Sequence, residues 1–273
     1  MKYKGLILII TILLFQQTGT VVLAQSEYQS LKRTYLSNYS LYSEERSAYE
    51  TARQKYLSFG TLSAQTSAIV AARSFITSGA TSVLNYLDIL NYTVRNLTNF
   101  DNTEKQQLFK LISDDQAYYR NIINTLATRD SLAEIEKISS NTAEYFTGVT
   151  KIKINLILVA TELDKTITIQ NGARDISNDI SRLAEDYSQS KKNTINNWYA
   201  QTLVSLDNSD EQLKLAKTNI KLLIDVYEQA EGNLTKTKVN GGDVQKSIDE
   251  SQSLLHEIIN NTDEIIIQVN KWK

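Results

Sequence analysis

Residues 28–60 read YQSLKRTYLSNYSLYSEERSAYETARQKYLSFG, and within them Tyr28, Tyr35, Tyr42, Tyr49 and Tyr56 recur at every seventh position. Seven residues make nearly two turns of α-helix, so this spacing lays the five rings along one helical face. A half-buried strand would alternate at every second residue instead, and no segment of the chain does so over a strand's length. Leu31, Ala52 and Phe59 hold the companion positions three residues on, with Asn38 and Glu45 among them. The stripe is therefore a heptad seam with one aromatic edge and one edge that is only half apolar.

A second seven-residue series follows in Leu62, Ile69, Ile76, Val83, Leu90 and Leu97, with Ala80, Leu87 and Val94 beside it. The first register calls for an apolar residue at 63, whereas the second uses 62. A slip of one residue rotates a helical face by about 100°. The seam therefore breaks near Phe59-Gly60-Thr61, either as a turn or as a bend.

Further along, Asn99–Thr103 reads as a loop, with Thr103 the expected cap of a helix carrying Glu104 in its first turn. Ser131 and Glu134 have capping-box spacing and open the next helix. Gly148 is a weak point in that helix. Asn171-Gly172 reads as a C-cap or a bend, Ser188–Asn193 as a polar break, and Asn240-Gly241-Gly242-Asp243 as a turn with Asp243 as N-cap. The chain is thus expected to be all-α, an elongated antiparallel bundle or set of coiled coils of six to seven long helices.

Composition agrees. Among 273 residues there is no proline, whereas average usage would give about 14. Nothing in the chain therefore has to kink or stop a helix. The absence of cysteine excludes disulfides and thiolate metal sites. A net charge of −2 gives no basic field for nucleic acid.

The N-terminus reads as an export signal. Lys2 and Lys4 precede an uncharged core, Gly5–Phe15, and a polar break, Gln16–Thr20; Val22-Leu23-Ala24 then offers a cleavage site before Gln25. The division expected is a signal peptide at 1–24 and a helical bundle domain at 25–273. An uncleaved membrane anchor over residues 5–24 is the alternative. In both cases the lysines stay inside and the remainder is secreted or extracytoplasmic. The next most apolar stretch, Ile152–Leu163, is short and broken by Lys153 and Asn155.

With the signal segment and the tyrosine heptads, the run Lys55-Tyr56-Leu57-Ser58-Phe59-Gly60-Thr61-Leu62-Ser63-Ala64-Gln65-Thr66 resembles a group of uncharacterised exported helical proteins of small-genome bacteria. The later order, an apolar Lys153-Ile154-Asn155-Leu156 helix and then one containing Trp198, is similar too. The resemblance implies fold and compartment. It implies no activity, cofactor or site residue.

Residue arithmetic restricts the chemistry. The single histidine, His256, has Ser253 three residues before it, where a di-iron bundle needs Glu, and the zincin spacing fails at Asn260. Asp114-Asp115 and Glu185-Asp186 are adjacent acids of the kind that lie solvated on an amphipathic helix. Phosphate-binding glycine loops and EF-hand loops are absent. No catalytic, cofactor-binding or metal residue is expected, and no cofactor.

Two features remain. The tyrosines at 28, 35, 42, 49 and 56 are either seam filler or a candidate interaction surface for a glycan or a partner helix. Lys214, Lys217 and Lys221 line one helix face, which reads either as a solvated face or as one that attracts an anionic polymer or headgroups. The function expected is that of a non-enzymatic exported structural or protein-interaction protein of the cell envelope, acting through helical surfaces on a protein or envelope polymer. Membrane contact would come only through the N-terminal segment. The alternatives are an α-helical membrane-active protein and an extracytoplasmic sensor-like bundle.

Overall fold

The computed structural model describes residues 18–229 and 241–272, and of residues 18–25 it describes the backbone alone. Most of the segment read as an export signal lies outside the described residues, as does the turn position Asn240. The described residues are helical nearly throughout and contain no strand, which makes the fold an all-α bundle. We number the helices α1 (Thr18–Phe59), α2 (Leu62–Arg95), α3 (Asn102–Leu126), α4 (Leu132–Tyr145), α5 (Lys151–Leu183), α6 (Gln189–Gln229) and α7 (Gly241–Lys271).

The helix ends follow local chemistry. At the first break the chain turns. Gly60 adopts φ 62°, a left-handed conformation natural for glycine, and its N–H donates to the Tyr56 carbonyl at 2.8 Å. Thr61 then caps α2 by accepting the Ala64 N–H on Oγ1 at 3.2 Å. The cap of α3 is Asp101 and not Thr103. Asp101 Oδ1 accepts the Glu104 N–H at 2.8 Å, and Glu104 returns a carboxylate to the Asp101 N–H at 2.7 Å. This is a reciprocal capping box with aspartate in the cap role, three residues before its glutamate.

Between α4 and α5 the helix does not stop at Gly148. It widens into a π-helical turn, Phe146–Thr150, and runs on. The extra residue per turn shifts the register without a loop. Asn171-Gly172 is not a cap, because α5 passes through it to Leu183. The polar break lies a few residues earlier than expected, with a short 3₁₀ turn, Ala184–Asp186, and an extended Tyr187 before α6. Asp243 lies within the first turn of α7.

The described chain divides into two compact units. One draws on Met1–Tyr92 and Ile112–Tyr145, the other on Thr93–Leu111 and Phe146–Lys273. The boundaries fall inside α2 and α3, where no change in composition marks them.

In the first unit Ala68, Ala72 and Ile76 of α2 meet Ile122 and Leu126 of α3 and Leu132 and Ile135 of α4. Small residues at 68 and 72 let the helices approach closely. Tyr49, Ala52 and Tyr56 of α1 cover this cluster. In the second unit Ile180 and Ala184 meet Ile195 of α6 and Ile265 and Val269 of α7, while Leu206 meets Leu255 and Ile258. Leu156, Ile157, Ala160 and Leu163, from the short apolar stretch, are buried.

Candidate functional site

The five stripe tyrosines are half-buried, as are Leu31, Asn38, Glu45 and Ala52 beside them. Their partners are on α2 and α4. Ring centroids lie 5.8 Å apart for Tyr28 and Tyr92 and 5.4 Å for Tyr35 and Tyr86. Phe75 stacks against Tyr42 at 5.3 Å and against Tyr49 at 5.6 Å. Gly79 leaves the space Tyr42 occupies, since a Cβ there would come within 3.1 Å of that ring. The Tyr49 hydroxyl donates to Glu136 at 3.0 Å, and the same carboxylate oxygen takes Arg53 at 3.0 Å. Burial, then the bond to Glu136, raises the Tyr49 pKa. The stripe is thus placed in an intramolecular seam, with its outer edge open to solvent.

Phe59 and Leu62 depart from their seam assignments. Both leave the seam at the turn, where they are 72% and 78% exposed, and Leu57 beside them is 60% exposed. Among the described residues nothing buries them. A shallow furrow between the two helices reaches this end, lined by small residues such as Ser47, Thr51, Ser63 and Ala64 and bordered by Lys55 and Phe59.

The lysine face divides. Lys217 and Lys221 reach Glu104 at 3.0 and 2.8 Å. Burial would push the Glu104 carboxyl up. The hydrogen bonds from Lys221, the Asp101 backbone and Lys217 outweigh it and hold the group below the usual glutamate value. Lys217 also donates to the Asn99 carbonyl at 2.8 Å and lies over the Phe100 ring at 5.2 Å. Asp164 Oδ1 accepts the backbone N–H groups of Thr98 and Asn99 at 2.8 and 2.6 Å. These groups pin the α2–α3 loop. Sequence alone leaves these lysines as a solvated or anion-attracting face, because the acidic partner of two of them is more than a hundred residues away.

Asp115 and Glu185, two of the adjacent acids, also have partners within the fold. Asp115 is buried and accepts the Tyr145 hydroxyl at 2.9 Å, while the Tyr145 ring stacks on Tyr118 at 3.6 Å. Burial first, then the charge of Asp115, raises the Tyr145 pKa. Glu185 takes Lys192, and His256 is exposed. Among the described residues no group of three or more His, Cys, Asp or Glu is placed to hold a metal ion.

One helix among the described residues, α2, is long and apolar enough to cross a membrane by length and composition, with a mean hydropathy of 1.2 and one-third of that window buried. Ile152–Leu163, the most apolar stretch after the N-terminal segment by sequence, does not stand out in this way. Compared with known proteins, the chain matches no family model, no curated protein and no solved structure.

Proposed function

We propose that this chain is an exported, non-enzymatic protein that acts at the cell envelope through a helical surface, and that the working surface is the turn end of the α1–α2 hairpin. The observation that carries the reading is the exposure of Leu57, Phe59 and Leu62 together on a turn held by Gly60 and Thr61. Three large apolar side chains gathered on a rigid end mark an interaction site more than a reaction centre. The seam behind them supplies the rigidity, since aromatic stacking from Tyr28 to Tyr49 ties α1 to α2.

A photo-crosslinking amino acid at position 59 tests this in producing cells, with position 204 on α6, also exposed, as the control. Adducts at 59 and none at 204 support the reading; equal labelling at both sites, or none, refutes it. Export is checked by sequencing the N-terminus of the exported protein, expected at Gln25. A start at Met1 in the membrane fraction favours the anchor. The membrane-active reading draws its support from the hydropathy of α2.

A further inference from the structure

The hairpin end has a charge pattern that selects its occupant. From Tyr56 to Ala72 the chain runs 17 residues through the turn with no charged side chain, between Lys55 on α1 and Arg73 on α2. On α1 the uncharged stretch is four residues, about 6 Å of helix, and on α2 it is eleven, about 16 Å. Half the hydrocarbon thickness of a bilayer is about 15 Å. Arg73 is tied to Asp130 at 3.1 Å and to the Arg129 carbonyl, whereas Lys55 makes no ion pair among the described residues. A free cation one turn behind an apolar end is suited to an anionic headgroup, with the stem of the lysine along the apolar surface.

We infer that the α1–α2 turn dips into the outer part of a lipid bilayer, with Leu57, Phe59 and Leu62 among the upper acyl carbons and Lys55 at the anionic headgroups. This rests on the reading that the hairpin end is the working surface, and adds its occupant. Ser58, Thr61 and Ser63 surround the apolar residues with hydroxyls suited to the headgroup zone. The dip is shallow for a stated reason. The last carbonyls of α1 have no helical partner and stay near water, and polar backbone groups do not enter hydrocarbon unsatisfied. A spanning hairpin would also carry Arg73 and Asp130 into the membrane.

The chain has no cysteine, so one introduced at position 59 takes an environment-sensitive dye alone. Full-length protein labelled at 59, at 74 or at 204 is mixed with vesicles of phosphatidylcholine and phosphatidylglycerol in equal parts. The vesicles carry a nitroxide either near the headgroup or deep in the chains. The expected result is quenching at 59 by the shallow nitroxide and none at 204. The double variant F59S/L62S should weaken vesicle binding of the hairpin by about a hundredfold, about tenfold for each large apolar side chain withdrawn from lipid. Its helical circular dichroism should be unchanged, because both side chains are exposed. K55E should reduce quenching at 59 on these vesicles and leave pure phosphatidylcholine unaffected. Absence of quenching at 59 overturns the inference, and quenching at 74 as deep as at 59 overturns the shallow geometry. If position 59 is unquenched but crosslinks to a protein in cells, the lipid inference falls and the surface reading stands.

Discussion

Truncating Tyr49 to alanine measures what the tyrosine seam contributes. The ring lies parallel to Phe75, with 5° between planes, and covers Ala68, Ala72 and Ile76; its hydroxyl donates to Glu136. Removing a fully buried aromatic costs about 3–5 kcal/mol. Tyr49 is half-buried, so roughly half that applies, about 2 kcal/mol, including the part a stacked pair adds beyond area. Tyr49→Phe separates the hydroxyl. Its partner Glu136 is 40% exposed and shared with Arg53, which limits that bond to about 0.5–1 kcal/mol.

Both tryptophans, Trp198 and Trp272, belong to the second unit, so tryptophan fluorescence does not report on the seam. Amide hydrogen exchange along α2 does. A loss of 2 kcal/mol should lower protection there by about thirtyfold in Tyr49→Ala, and less in Tyr49→Phe. Unchanged protection in both Tyr49→Ala and Tyr42→Ala would refute seam packing as the role of the stripe. Retained affinity for a glycan or helix in the wild type alone would then assign the stripe to binding.

Other substitutions test the remaining contacts. Glu104→Gln should destabilise the second unit by about 2 kcal/mol, because Lys217 and Lys221 lose their shared buried carboxylate. The Glu104 pKa is lowered in the folded state, so its contribution is present above the unfolded value of about 4.3 and is lost as pH falls through the folded value. Acid unfolding followed by Trp198 and Trp272 fluorescence should therefore lose part of its pH dependence in the variant. Gly60→Ala should cost about 1 kcal/mol in urea unfolding, purely from the left-handed φ, since nothing lies within 4 Å of the added Cβ. Tyr145→Phe should cost about 1–3 kcal/mol in the same assay by withdrawing a donor from buried Asp115.

Helical class and the position of the seam were legible in the sequence. Tyrosines seven apart admit one face of one helix, and the half-burial of residues 28 to 56 at those positions follows it. The break at Gly60 was legible as a register slip, because a change of phase is a local property. Its form as a turn depended on whether α2 could fold back against the rings, with Phe75 and Gly79 seated opposite them. Helix caps were partly legible: aspartate at 101 and threonine at 103 both fit a cap, and the Lys217–Glu104 pairing holds the loop where Asp101 fills it.

The lysine face and the hairpin end lay beyond sequence reasoning, for one physical reason. The heptad fixes which residues share a face, but not whether a face has a partner. Glu104 lies more than a hundred residues from Lys217 and Lys221, yet its buried carboxylate pairs with both. Phe59 and Leu62 continue an apolar pattern, yet among the described residues they find no cover and are left exposed. Sequence determined secondary structure and phase, because both are set within a few turns. Burial, pairing and the exposed apolar end were decided by tertiary structure, because they depend on where distant helices stop.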